Sequence, residues 1–318
     1  MREISFIQAV MEALHEEFQK NKKTIYMSTH IPRALLEFGT SRIRATPVSE
    51  SAFVGAAIGL AGSGFRPVVN IRNSAFAFVA ADQFANQAAK ITYMFGGQAK
   101  FPIVYRMHIG AGMSMAAQHS ISPYPVYMNL PGLKISLPST PYDAKGLLKT
   151  AVRDNNPVLF FEHMALADVK GEVPEEEYTI PFGQAAVKIH GTDVTVVALA
   201  KMVHEALAAA EEVKKHGISM EVIDPRTLVP LDIETIHTSV TKTGRLVVVD
   251  ESCRTCGTAA EIISLVVEKA DIFCLLKAPP KRVSGFDIPI PFSPPMERYA
   301  VPDKERIVVA VKEILDFQ

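Results

Sequence analysis

The sequence predicts an α/β protein with two doubly wound domains, and three observations support this fold class. Its 318 residues correspond to two domains at roughly 150 residues per domain. Short apolar strands alternate with helical stretches, which favours mostly parallel sheets. A charged segment with two prolines interrupts this alternation once. We therefore predict a first domain over residues 1–170, a linker over 171–183 and a smaller second domain over 184–318.

The elements of the first domain are predicted from apolar periodicity. Residues 4–14 place apolar side chains on one helical face, with glutamates on much of the other face. A helix of small residues is predicted to begin near Glu50 and to end at Gly64. The remaining predicted elements are strands over 103–105, 134–137 and 158–161, and a helix over 143–153.

The linker and the second domain follow from breakers and a renewed βα pattern. Pro174 and Pro181 cannot lie inside a helix, so the segment between the domains is predicted to be irregular. Gly217 is predicted to stop a helix. The predicted elements of the second domain are strands over 193–198, 220–223 and 245–249, and helices over 203–215 and 258–268.

Composition and charge exclude several classes of protein. With 33 Lys and Arg against 34 Asp and Glu, the net charge of −1 is unlike the basic balance of a nucleic-acid-binding protein. The N-terminus lacks the features of signal and transit peptides, and no apolar run approaches the ~20 residues that span a bilayer. Three cysteines fit a reducing compartment. We predict a cytoplasmic protein that binds neither membrane nor nucleic acid.

Glu50 is the first candidate for chemistry, and it has two interpretations. It can be an N-terminal helix acid that the helix dipole stabilises. It can also be a carboxylate at the floor of a cleft, placed to exchange a proton with a ring nitrogen. The glycines of the same helix do not form a nucleotide-binding loop, because they follow a helix instead of joining a strand to a helix. They predict close helix packing.

His119 and a pair of cysteines are further candidates. His119 lies beyond the end of a predicted strand, where open α/β sheets bind ligands, and histidine suits proton transfer near neutral pH. A single histidine is nevertheless more often structural. Cys253 and Cys256 form a C-x-x-C motif, but zinc would need more ligands than the remaining Cys274. We interpret these cysteines as neutral or structural.

Ten segments occur in an order that resembles one enzyme family. They are TPVSE, FRPV, ADQFANQAAK, YMFGGQ, AAQHS, PGLKISLPS, DAKGLLKTAVRDNNPV, GEVPEE, EVIDPRTLVPLD and SVTKTGRLVVVDE. The chain is similar to the β subunits of the decarboxylating component of 2-oxoacid dehydrogenase complexes, of the pyruvate, branched-chain and acetoin type. The resemblance runs from about residue 30 to the end.

The resemblance implies a fold, a cofactor and partners. It implies a transketolase-like fold, with a pyrimidine-binding domain followed by a transketolase C-terminal domain. In such enzymes thiamine diphosphate lies between an α and a β subunit, usually in a heterotetramer, and a lipoyl acyltransferase core accepts the acyl group. The α subunit holds the diphosphate and magnesium through a Gly-Asp-Gly motif, which this sequence lacks. The chain is therefore expected to be inactive alone.

The resemblance also assigns roles to individual residues. Glu50 matches the glutamate that hydrogen-bonds the pyrimidine nitrogen and promotes proton removal from the thiazolium ring. Phe76 matches the aromatic residue that packs on the pyrimidine, and His119 matches a histidine that exchanges protons during acyl transfer to lipoamide. The positions that match a structural potassium site in relatives, mostly through backbone carbonyls, are Ile103, Ala151, Val152, Asp154 and Asn156.

Several positions depart from the family pattern, and two rival functions remain open. Asn70 replaces an acid, Ala75 replaces Asp or Asn, and Asn129 replaces a histidine, while Pro123 and Pro125 are added in a loop that they would stiffen. These changes surround the expected substrate channel. One rival is a split transketolase or acyloin-forming lyase that uses the same cofactor. The other is a degenerate β subunit that only assembles with or regulates an active one. The retained Glu50, Phe76 and His119 argue against this alternative.

Overall fold

A computed structural model describes residues 2–317 of the chain. The strands are β1 (Arg2–Ser5), β2 (Thr24–Ser28), β3 (Ile43–Ala45), β4 (Arg66–Asn73), β5 (Val104–Ile109), β6 (Lys134–Ser136), β7 (Val158–His163), β8 (Lys170–Val173), β9 (Ala186–Ile189), β10 (Val194–Ala198), β11 (Met220–Asp224), β12 (Thr227–Val229), β13 (Leu246–Cys253) and β14 (Lys281–Gly285). The α-helices are α1 (Phe6–Lys20), α2 (Glu50–Gly62), α3 (Ile91–Met94), α4 (Ala116–His119), α5 (Tyr124–Met128), α6 (Pro141–Arg153), α7 (Met202–Lys214), α8 (Ile233–Thr243), α9 (Thr258–Val267), α10 (Ala270–Phe273), α11 (Pro294–Ala300) and α12 (Lys304–Leu315).

The chain folds into two compact units. The first contains the chain up to Ile109 together with Val126–Phe182, and the second contains Gly110–Pro125 together with the chain from Gly183 onward. Each unit has its own apolar core, drawn from helices and strands of that unit. Strand β8 takes up the first residues of the predicted linker, where it pairs antiparallel with β1. The predicted α/β class is confirmed in both units.

Six strands of the first unit form a parallel sheet in the order β6-β7-β5-β4-β2-β3. Five strands of the second unit form the order β14-β13-β10-β11-β9, in which only β9 is antiparallel to its neighbour. Helices connect the parallel strands, as the alternating pattern predicts. The carboxyl ends of the parallel strands in the first unit therefore lie along one edge, which is where such sheets place ligands.

The start of α1 differs from the sequence prediction. The helical pattern includes residue 4, whereas the helix begins at Phe6. Ser5 and Gln8 form a capping box, in which the Ser5 hydroxyl accepts from the Gln8 backbone amide at 3.3 Å and the Gln8 side-chain oxygen accepts from the Ser5 backbone amide at 2.8 Å. The cap fixes the start of the helix at Phe6. Ile4 lies before the helix and pairs with Gly171 in the two-stranded sheet.

Helices α1 and α6 are joined by ion pairs as well as apolar contacts. The ammonium groups of Lys145 and Lys149 are buried and lie 2.7 and 2.6 Å from the Glu16 carboxylate. Burial raises the pKa of Glu16, but the hydrogen bonds from both lysines outweigh it and leave the pKa below its ordinary value. Both buried cations thus pair with this carboxylate, and Lys145 also pairs with Glu12 at 3.2 Å.

We expect Glu16→Gln to lower the free energy of unfolding near neutral pH by about 1.5–3 kcal/mol, the range for hydrogen bonds between charged groups. A lowered native pKa contributes stability above the unfolded-state value and loses it as pH falls through the native pKa. The difference between wild type and variant should therefore narrow below about pH 4.5. Urea unfolding across this range measures it, with the exposed Glu176→Gln as control. A difference independent of pH would contradict the prediction.

No helix within residues 2–317 combines the length and the apolar composition needed to cross a bilayer.

Candidate active site

Glu50 is the first residue of α2, just beyond β3 at the carboxyl edge of the first sheet. Its side chain is buried, with 7% of the residue exposed. Within the described chain, no side chain or backbone group hydrogen-bonds its carboxylate. The helix dipole favours a negative charge in the first turn, but a buried carboxylate without a hydrogen-bond donor is costly. The site therefore fits a ligand that supplies a donor or shares a proton.

Phe76 lies in the 3₁₀ turn Ser74–Ala80, which directly follows β4. The Asn73 side chain caps this turn by accepting from the Ala75 amide at 3.0 Å. The turn packs against α2, and the Ser51 hydroxyl donates to the Val79 carbonyl at 2.7 Å. Glu50 and Phe76 therefore stand on adjoining elements at one edge of the sheet. Phe76 is half-buried, so part of its ring remains accessible.

The small residues of α2 allow the close packing that the sequence predicts. A Cβ at Gly55 would lie 2.8 Å from the side-chain oxygen of Gln83, in the π-helical turn that follows. A Cβ at Gly62 would lie 3.3 Å from the Phe101 ring. Larger side chains at these positions would require the Gln83 side chain and the Phe101 ring to shift.

A buried polar network lies on β2, β4, β5 and β7, and sequence reasoning missed it. Arg106 forms a two-pronged ion pair with Glu162, with nitrogen–oxygen distances of 2.7 and 2.8 Å. Asn70 donates to the Tyr26 hydroxyl at 3.0 Å. Burial lowers the pKa of His108 below its ordinary value. The Glu162 carboxylate opposes this effect, and the Arg106 charge adds to it. The alternation of Arg106 and His108 with apolar residues along β5 is a sequence signal for this network.

His119 ends α4 in the segment that belongs to the second unit, and it is half-buried. The neighbouring Ser120 hydroxyl is buried and has no hydrogen-bond partner within residues 2–317. The structure thus places Glu50 and Phe76 on adjoining elements of the first unit. His119 lies in a segment of the second unit. Each of the three follows a strand of the first sheet in the sequence.

Two residues of the loop that departs from the family pattern are held in place by their surroundings. Tyr124, between the two added prolines, is fully buried and its hydroxyl donates to Asp250. Burial and the nearby Asp250 carboxylate raise the pKa of Tyr124 well above its ordinary value. Farther along, Gly132 has φ +105°, and a Cβ there would lie 1.8 Å from the Ala89 carbonyl oxygen. Only glycine fits at that position.

The five predicted potassium-site positions gather around the carboxyl end of α6. Arg66 donates to the carbonyl oxygens of Val152 and Asp154 at 3.0 and 2.8 Å. The Asp154 carboxylate pairs with Lys134 at 2.5 Å, and the Ile103 carbonyl accepts from the Val158 amide. A cation at this place would share two of its carbonyl ligands with the Arg66 guanidinium. The remaining predicted positions, Ala151 and Asn156, flank the same turn.

Cys253 and Cys256 are exposed free thiols at the end of β13. Burial of the Sγ atom, together with the Asp287 and Asp250 carboxylates, raises the pKa of Cys253, so its thiol is not activated. Within residues 2–317, no group of three or more His, Cys, Asp or Glu side chains could hold a metal ion.

Comparison with known proteins identifies the family to which this chain belongs. Residues 2–168 match the transketolase pyrimidine binding domain, and residues 183–307 match the transketolase C-terminal domain. The chain is 47% identical to the acetoin:2,6-dichlorophenolindophenol oxidoreductase subunit beta of Bacillus subtilis, covering 88% of this chain and 81% of that one. It is 40% identical to the pyruvate dehydrogenase E1 component subunit beta of the same organism, over the full length of both. The chain belongs to the β subunits of thiamine-dependent 2-oxoacid and acetoin dehydrogenases.

A solved structure agrees with this β subunit in fold. It is described as a split gene transketolase, inactive beta4 tetramer, with a TM-score of 0.82, 22% sequence identity and 99% of each chain covered. At that identity the likeness concerns the fold alone. The predicted transketolase-like architecture of the β subunit is thereby confirmed.

Proposed function

We propose that this chain is the β subunit of a cytoplasmic, thiamine-diphosphate-dependent dehydrogenase. The enzyme would cleave acetoin or a 2-oxoacid, transfer the acyl group to lipoamide, and work only with an α subunit. The observation that carries the proposal is the buried Glu50 carboxylate, which lacks a hydrogen-bond donor within the described chain and adjoins the turn of Phe76. A pyrimidine ring nitrogen that carries a proton would donate it to this carboxylate, and an aromatic ring beside it suits a planar heterocycle.

The roles of this chain's own residues follow from that geometry. Thiamine diphosphate, when bound, supplies a carbon that adds to the substrate carbonyl and an electron sink for bond cleavage. Glu50 would share a proton with the pyrimidine nitrogen, and the start of α2 would keep its charge stabilised. Phe76 would orient the ring, and His119 would exchange protons during acyl transfer.

The need for an α subunit rests on what the sequence does not contain. The chain has no Gly-Asp-Gly motif to hold magnesium and diphosphate, although it contains the pyrimidine-binding domain. We propose a heterotetramer of two α and two β subunits that delivers acyl groups to a lipoyl acyltransferase core. Turnover by the purified β chain without any α subunit would contradict this proposal.

We also propose that the turn after α6 binds potassium. The cation would be held by carbonyls around Val152 and Asp154, two of which also accept from Arg66. If the ion binds, the melting temperature of the complex should be higher in potassium chloride than in sodium chloride at equal ionic strength. Equal melting temperatures would indicate that no potassium binds and that Arg66 alone is the hydrogen-bond partner of these carbonyls.

The test of function is a substrate panel with the co-produced α subunit. We expect one of acetoin, pyruvate or a branched 2-oxoacid to reduce a dye acceptor when thiamine diphosphate and magnesium are present. Acetoin is the first substrate to try, because the acetoin-enzyme relative is 47% identical and the pyruvate-enzyme relative 40%. Turnover should vanish without thiamine diphosphate. Carbon transfer to an aldehyde or a sugar phosphate, with no dye reduction, would instead indicate a split transketolase.

A further inference from the structure

The segment Gly110–Pro125 carries His119 and is anchored within the second unit by a carboxylate of β13. The Glu251 carboxylate, in a residue only 6% exposed, accepts from the Ala111 amide at 2.6 Å and from the Ser122 hydroxyl at 3.5 Å. Glu251 therefore contacts the segment at one residue before His119 and at one residue after it. A charged acceptor makes such hydrogen bonds about twice as strong as a neutral one.

A second carboxylate, from α11, anchors the middle of the same segment. Glu297 is 2% exposed, and its Oε1 accepts from the amides of Gly112 and Ser114 at 2.9 and 3.1 Å. Its Oε2 accepts from the Ser114 amide at 3.0 Å and lies 3.4 Å from the Ser114 hydroxyl. Both oxygens are thus used on one short stretch of backbone, five to seven residues before His119.

The backbone conformation that these carboxylates hold is unfavourable by itself. Gly110 and Gly112 have φ +95° and +105°, and the non-glycine residues Ser114 and Ala116 have φ +51° and +60°. A non-glycine residue in this region is strained and persists only where its surroundings enforce it. Ala116 begins the helical turn that ends at His119. The direction of that turn therefore depends on the strained backbone before it.

We propose that Glu297, assisted by Glu251, is a positioning residue. It would hold the backbone of the segment that carries His119 and so orient the His119 side chain for acyl transfer. This inference rests on the proposed function and assigns a role to Glu297 and Glu251, which accept hydrogen bonds from the backbone of the His119 segment. With glutamine at 297, an amide NH₂ would replace one acceptor oxygen and face a backbone N–H, so a donor would meet a donor. The strained backbone would then relax, and His119 would lose its fixed orientation.

The test compares Glu297→Gln with wild type in the complete α/β enzyme. We expect the ratio of lipoyl-dependent to dye-linked turnover to fall about 10-fold or more, because a misplacement of ~1 Å can cost ~100-fold in rate. Hydrogen exchange of residues 110–122 should become faster in the same variant. Glu251→Gln is the second variant and should change both readouts in the same direction.

Glu221→Gln is the matched control, since Glu221 is also 2% exposed in the second unit. Its carboxylate accepts from a backbone amide, that of Gly191 at 3.1 Å, and pairs with Lys242, but it does not touch the His119 segment. The control should leave the ratio and the exchange of residues 110–122 unchanged.

Two results would overturn the proposal. One is unchanged exchange of residues 110–122 in both Glu297→Gln and Glu251→Gln. The other is faster exchange with an unchanged turnover ratio, which would mean that the anchored loop does not govern His119. If the wild-type complex turned over no substrate at all, the proposed function would fail. The exchange contrast with Glu221→Gln would then still decide whether the carboxylates hold the loop.

Discussion

Glu50→Gln is expected to reduce turnover by the assembled α/β enzyme by about 100- to 10,000-fold, the range for loss of a positioned acid–base group. Glutamine has nearly the same shape but cannot share a proton with a ring nitrogen. Steady-state kinetics with saturating thiamine diphosphate measures the effect on turnover, and titration of the cofactor separates it from weaker binding. The first-turn variant Glu261→Gln on α9, at an exposed position, should stay within about twofold of wild type.

The stability of the same variant separates a functional role from a structural one. Because no group within residues 2–317 donates to the Glu50 carboxylate, removing its charge forfeits only ~0.3–1 kcal/mol of helix-dipole interaction. The melting temperature without cofactor should therefore change by only a few degrees. Unchanged turnover in Glu50→Gln would favour the degenerate-subunit alternative, and a large loss of stability would favour a structural role.

Glu162→Gln is expected to produce the largest loss of stability, of about 3–5 kcal/mol, because it leaves the Arg106 guanidinium buried without a counter-charge. The two side chains are 2% and 4% exposed, and both prongs of the ion pair are short. Burial by itself would lower the pKa of Arg106, but the Glu162 carboxylate keeps it raised, so the arginine stays charged in the folded protein. Chemical unfolding of the variant measures the loss.

Two further variants test the explanation for that loss. Glu177→Gln removes an exposed carboxylate that also pairs with an arginine, and it should change stability little. The double variant Arg106→Met with Glu162→Leu removes both charges and should be more stable than Glu162→Gln alone. If the double variant were less stable than the single one, the buried charge would not be the cause.

Much of the fold could be predicted because its signals are local. The strand at 158–161 and the helix at 143–153 appear as β7 and α6 with small shifts at their ends. Apolar runs, prolines and glycines act within a few residues of themselves, so a single sequence carries them. The start of α1 was misplaced by two residues because a capping box competes with apolar periodicity.

The candidate site was predictable only in part. Glu50 and His119 stand at element boundaries that the sequence indicates, and the family resemblance supplied their roles. The network of Arg106, Glu162 and Asn70 was missed, because its members lie 36 to 92 positions apart and meet only through strand order. Glu297 was missed for the same reason, since 183 positions separate it from Ser114.

By itself, the sequence indicated the α/β class, the two-part organisation and the family, and it singled out Glu50 as the candidate for proton exchange. These depend on local periodicity and on motifs that stand contiguous in the chain. The tertiary structure alone decided that Glu50 is buried with no hydrogen-bond donor to its carboxylate within residues 2–317, and that the His119 segment belongs to the second unit. Burial and hydrogen-bond partners depend on which distant residues come together. That pairing is set by sheet order and packing, which no short stretch of sequence encodes.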